Sequence, residues 1–91
     1  MTKADIVAGI AEQTGIPKKE VAVVVNAFLA TLREAFLNHE RVELRGFGVF
    51  TIKNRKRRIG RNPKTLEEVE IPERPAVVFK VSKLIRQKLE K

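Results

Sequence analysis

Twelve consecutive residues, 53–64, carry Lys53, Arg55, Lys56, Arg57, Arg58, Arg61 and Lys64 and no acid. Cations at that density suit one kind of chemistry, the non-covalent neutralisation of a polyanion. A solvated charge run that only aids solubility is the bland alternative, and the absence of any interleaved acid favours the polyanion. Elsewhere the charge nearly cancels: residues 1–52 hold six basics and six acids, and residues 65–91 hold six basics and five acids. Almost the whole formal charge of +8 therefore belongs to one short segment.

Enzymatic chemistry finds little to work with. The only His, His39, sits beside Glu40 in a connection between elements, where a solvated surface residue is the ordinary reading. Gly46-Phe47-Gly48 resembles the start of a dinucleotide loop, but Thr51 stands at the third glycine position and a strand follows instead of a helix. With no Cys there is no disulfide framework, zinc finger or thiol nucleophile, which fits a reducing compartment. No catalytic residue, metal site, cofactor or small-molecule substrate is expected. The N-terminus has Asp5 and Glu12 and no continuous apolar stretch, so it does not read as a secretory signal. The run Val21 to Leu32 is too short and too interrupted to cross a bilayer, so no membrane partner is expected and the location is cytoplasmic.

The elements that must carry the cations follow from periodicity. Thr2 to Gly15 reads as an amphipathic helix, with Thr2 as cap, Asp5 in a capping-box position and Gly15 as left-handed stop. Lys18 to about Asn38 has no Gly or Pro, and Val21, Val25, Phe28, Leu32 and Phe36 recur at helical spacing; Pro17 falls in its first turn. The Val-rich start favours a strand locally, but a strand of twenty residues is rare. After Glu40 the period becomes two, through Val42 and Leu44, then Val49 to Ile52, Val69 to Ile71 and Ala76 to Phe79. Ser82 caps a last helix to Leu89. The order is α-α-β-β-β-α, an α+β fold. It divides as one domain over 1–91: a helical base at 1–40, sheet and arm at 41–81 with the arm at about 53–75, and a C-terminal helix at 82–90.

The hairpin in the middle is too long and too polar to pack on so small a core, so it projects as an arm. Pro72 and Pro75 suit an edge and not a central ladder. Lys and Arg on a ribbon neutralise phosphates in sequence, and Arg enters a narrow minor groove. There is no Tyr or Trp, and the Phe residues fall at core positions (Phe28, Phe47, Phe50 and Phe79, with Leu29, Leu32 and Leu44), so base stacking is disfavoured and duplex DNA is the better partner. Pro63 at the tip is either a turn former or an apolar wedge between base steps. Lys3 after the Thr2 cap and Lys83 after the Ser82 cap place cations at helix starts that a bound phosphate would reconcile, and Lys80 thickens the second. A domain this small buries only about 60–65% of its unfolded surface; it gains from an oligomer.

Gly46-Phe47-Gly48-Val49-Phe50, Gly60-Arg61-Asn62-Pro63-Lys64-Thr65, Phe79-Lys80 and Ser82-Lys83-Leu84 together resemble the bacterial HU and integration host factor family of histone-like proteins, across the whole chain. The resemblance implies an intertwined dimer: a two-helix N-terminal hairpin, a three-stranded antiparallel sheet with a long β-ribbon arm, and a short C-terminal helix. It implies a nucleoid protein that binds duplex DNA largely without sequence specificity and bends it, with Pro63 wedging between base steps, a mode known for the family. By position it assigns DNA contacts to Lys53, Arg55, Arg58, Arg61, Asn62 and Lys64 in the arm, and to Lys3, Gly46, Lys80, Ser82 and Lys83 in the body. A sequence-preferring integration-host-factor type, an RNA- or ribosome-associated protein, a preference for nicked or distorted DNA, and a heterodimer with a paralogue remain open. Leu66 stands where the family commonly has Gly, and Pro17 where a Ser or Thr cap is common; these bear on the return strand and on where the second helix starts.

Overall fold

The first helix, α1 (Lys3–Thr14), is fixed at both ends by its own sequence. The Thr2 hydroxyl accepts from the Asp5 amide and the Asp5 carboxylate accepts from the Thr2 amide at 2.9 Å, a reciprocal capping box. Gly15, at φ 77°, closes the helix and donates to the Ala11 carbonyl. This is a computed structural model; it describes residues 1–55, 58–61 and 63–90, with the backbone alone for Arg55, Arg58 and Ile71. The expectations for Lys56, Arg57 and Asn62 lie outside the described residues.

Helix α2 (Lys18–Leu37) keeps the length that the apolar period required, and its β-branched start is helical throughout. Pro17 lies one position earlier than expected, at the cap, where its carbonyl accepts from Glu20 and Val21 at 3.0 and 3.1 Å. The pyrrolidine has no amide proton that would need a partner ahead of the helix. His39, at φ 56°, stops the helix and donates to the Phe36 carbonyl.

The chain divides into two units, Met1–Ala35 and Phe36–Lys91. In the first, Lys3 on α1 donates through Nζ to Asn26 Oδ1 on α2 at 2.9 Å, and Val21 is the one buried apolar side chain among the described residues, 4% exposed. The second unit holds β1 (Val42–Leu44), β2 (Gly48–Arg55), β3 (Arg58–Arg61), β4 (Glu68–Ile71), β5 (Arg74–Val81) and α3 (Lys83–Leu89). Antiparallel strands in the order β1-β2-β5 form one sheet, and β3 and β4 form a second, two-stranded one.

The expected long hairpin is thus cut into two ladders. Arg55 opposes Arg74 at the end of the first and Arg58 opposes Ile71 at the start of the second, so the second ladder keeps the register of the first. Pro72, with no amide proton to donate, stands in the gap. Pro75 lies within β5, which is an edge of its sheet.

Alternation along β2 gives the three-stranded sheet two different faces. Phe50 and Phe79 are ladder partners on one face, their ring centroids 4.6 Å apart, and Phe36 and Phe47 extend the cluster at 5.4 Å each. Gly48 makes this possible. A Cβ there would lie 2.6 Å from the Lys80 carbonyl oxygen and 2.6 Å from the Phe79 ring. The residues expected in the core do not all find cover within one chain. Leu32, Leu44 and Phe50 are half-buried, whereas Phe28 and Phe47 are each 48% exposed, Phe79 41%, and Leu29 exposed as well.

Candidate nucleic-acid interface

The face of the sheet opposite the phenylalanines is polar at its margins. Val49, Thr51 and Val78 floor a groove of about 540 Å³, and Arg41, Glu43, Arg45, Lys53 and Lys80 stand around it. Ladder pairing sets Glu43 and Lys80 on either side of Val49. Arg41 Nη1 lies 3.5 Å from Glu43 Oε2, with both side chains 62% exposed. Among the described residues no ion pair engages Arg45, Lys53 or Lys80. One acid against four cations leaves a positive concavity, which concentrates an anionic partner.

Lys53 and Lys80 therefore meet in one groove, and Gly46 and Ser82 line it too. Arg41 and Arg45 were not singled out from the sequence, although the alternation Arg41-Val42-Glu43-Leu44-Arg45 already set all three charges on one side of a strand. Counting charge by block hid them inside a neutral body.

Gly46 and Ser82 form a clasp at the groove's end. Gly46 turns at φ 80°, with space around its Cα, so the backbone angle and not crowding selects glycine. The Ser82 hydroxyl donates to the Gly46 carbonyl at 3.0 Å and accepts from the Ile85 amide at 3.3 Å, and the Ser82 amide donates to the Phe47 carbonyl at 2.8 Å. With its one proton given to Gly46, the hydroxyl acts here as a cap and a tie. Lys83 is the exposed first residue of α3 and Lys3 the first of α1, where its ammonium is held by Asn26.

The remaining cations lie on the ribbon. Arg55 ends β2, Arg58 and Arg61 bound β3, and Lys64 follows Pro63 in the exposed turn. Arg61 opposes Glu68, and Ile59 opposes Glu70. The return strand thus dilutes the charge that the outgoing strand concentrates, which a count over 53–64 does not reveal. At the tip, Leu66 keeps the left-handed conformation, φ 61°, that glycine would supply. For a residue with a Cβ that conformation costs about 1–2 kcal/mol. Leu66 therefore enters the return strand through a conformation that glycine would take more readily, at the expense of local strain.

Among the described residues no three His, Cys, Asp or Glu side chains are grouped to hold a metal ion, and no helix is long and apolar enough to cross a membrane.

Comparison with known proteins places this surface in context. The family model described as bacterial DNA-binding protein matches residues 1–90. The DNA-binding protein HU of Thermus thermophilus is 42% identical over 91 residues, which is all of this chain and 94% of the relative. Integration host factor subunit alpha of an Anaeromyxobacter strain is 39% identical over 89 residues, 98% of this chain and 79% of the relative. The chain belongs to the HU and integration host factor family. Among solved structures, an Anabaena HU–DNA cocrystal superposes with a TM-score of 0.89 at 42% identity, covering 98% of this chain and 97% of that one. A mutant HU of Thermotoga maritima follows at 0.73 and 25% identity. The HU-like fold accounts for the α+β order, the three-stranded sheet and the separate ribbon described above.

Proposed function

We propose that this chain is an architectural DNA-binding protein of the HU type, acting in the bacterial nucleoid as a homodimer that bends and compacts duplex DNA without catalysis. The observation that carries the reading is a cationic groove on one face of the sheet and a ribbon bearing Arg58, Arg61 and Lys64 around Pro63, within an HU-like fold. Phosphates would be neutralised by Lys53, Arg55, Arg58, Arg61 and Lys64, with Asn62 beside them, and by Lys80, Lys83 and Lys3 in the body. Arg41 and Arg45 join them. Gly46 and Ser82 shape the groove's end. Pro63 enters a base step as a rigid apolar wedge, the mode known for the family.

Exposed apolar surface supports the dimer. The chain leaves 8112 Å² accessible, where a folded monomer of its mass leaves about 5400 Å². On α2, Val24 is 67% and Phe28 48% exposed, and they lie one turn apart on the same side of the helix. Each of these, the side of α2 and the phenylalanine face, is apolar surface that a second copy would cover.

The test is a bending and affinity assay on linear duplex, nicked duplex and structured RNA across a salt series. If roughly six to ten phosphates are neutralised per dimer, log K falls against log salt with a slope of about −5 to −9. Pro63→Ala lowers end-to-end energy transfer on a short duplex more than it lowers affinity. Tighter binding to RNA would favour an RNA-associated role, and strong preference for one site over bulk DNA would favour the integration-host-factor type. A slope near zero would remove the electrostatic account.

A further inference from the structure

Leu66 is the residue of the tip that local backbone preference explains least. Its φ of 61° lies where a Cβ crowds the neighbouring carbonyl and glycine is the default. Its side chain is 69% exposed, so packing within the chain offsets little of that strain. The turn nevertheless holds it: the Glu67 amide donates across Leu66 to Thr65 Oγ1 at 3.3 Å. Register adds the second observation. The ladder ends where Arg61 opposes Glu68, so Pro63 and Leu66 both lie in the connection that closes the ribbon. Two apolar side chains therefore share the far end of the ribbon, where the neighbouring exposed side chains are Arg61, Lys64, Thr65, Glu67 and Glu68.

From this we infer that Leu66 is a second apolar contact with duplex DNA, seated on the sugar and base edge beside the step that Pro63 enters. The inference rests on the reading of the ribbon as a minor-groove arm, and deepens it. Deoxyribose and base edges in the groove are apolar surface that water covers poorly, and a leucine held at the tip gains by covering them. Strain kept at a functional tip, where a smaller residue would relieve it, is the pattern expected of a side chain selected for what it touches in the complex.

The test uses the full-length chain with three substitutions. Leu66→Gly relieves the backbone, Leu66→Asn keeps a side chain that tolerates the left-handed region but is polar, and Leu66→Met keeps an apolar one. Affinity for a short labelled duplex is read by anisotropy, bending by energy transfer, and folding by thermal midpoint. The Gly and Asn variants should bind about five- to tenfold more weakly and bend less. The midpoint of the Gly variant should not fall, and the Met variant should stay within about twofold of the parent. Gly or Asn variants that bind as tightly as the parent, or more tightly, would overturn the inference. A parent chain that leaves the duplex straight would instead overturn the arm reading itself, before any variant is compared.

Discussion

Replacing Ser82 by Ala removes a single oxygen that ties two parts of the fold together. The hydroxyl accepts from the Ile85 amide as the cap of α3 and donates to the carbonyl of Gly46, thirty-six residues away in sequence. Loss of a serine cap costs about 1 kcal/mol, with a range near 0.5–2. Loss of a neutral hydrogen bond costs about 1 kcal/mol, less where water replaces the partner, as it can at the exposed Gly46. Together these amount to about 1.5–2 kcal/mol per chain, which for a domain of this size lowers the thermal midpoint by roughly 6–16 °C. Circular dichroism melts at matched protein concentration read this directly. Ser82→Asp keeps the cap acceptor but has no proton for Gly46, so its loss should be about half as large. The salt slope of DNA binding should stay the same in the Ala variant, because no charge is removed. A melt unchanged to within about 1–2 °C, combined with weakened DNA binding, would refute the clasp and return the hydroxyl to phosphate contact.

Gly48→Ala should destabilise the chain by about 1–3 kcal/mol, since the new methyl meets the Lys80 backbone oxygen at 2.6 Å as well as a ring; an unchanged melt would deny the close approach. Glu68→Gln, opposite Arg61 on the ribbon, should tighten duplex binding about two- to fivefold at low salt and lose that advantage as salt screens the charge. A gain independent of salt would point to some other cause. Light scattering should find twice the 10.3 kDa chain mass at micromolar concentration, and Phe28→Glu should abolish it; a monomeric parent would remove the dimer from the proposed function.

What the sequence disclosed depended on how local the signal was. Thr2, Asp5 and Gly15 set the limits of α1 because a cap is decided by residues within one turn, and each holds its expected place. The period-two runs located the strands for the same reason. Pro17 precedes α2 at the cap position that the family resemblance gave it, one residue before the first turn that its ring geometry alone suggested. The division of the hairpin into two ladders was not legible: a proline lowers the chance of a ladder without saying whether the strand resumes, and here it resumes in register. In the site, the run from Lys53 to Lys64 was visible as composition, whereas Arg41 and Arg45 became visible only when the β1-β2-β5 order brought them beside Lys53 and Lys80. The core residues were legible as apolar positions of a dimer core shared by both chains, and the exposure of Phe28, Leu29, Phe47 and Phe79 in the single chain is consistent with that expectation.

Cover for the exposed phenylalanine face would link folding to DNA binding. The phenylalanine face and the cationic groove are opposite sides of the same three strands, so whatever settles one side fixes the other. A second copy covering the Phe47–Phe79 face would rigidify the strands that carry Lys53 and Lys80, and would supply a second ribbon. Two ribbons matter because a wedge at one step kinks a duplex locally, while two held at a fixed spacing impose a direction on the bend. Their binding is also multivalent: once one arm is seated, the other searches at high effective concentration. For such a dimer, linkage makes DNA binding favour dimerisation, and dilution would weaken DNA binding beyond simple mass action for one chain. Well below the dimer dissociation constant, occupancy of a short duplex should therefore rise with about the square of total protein concentration. A first-power dependence at the same concentrations, with the protein shown to be monomeric when free, would mean that one chain and one arm suffice.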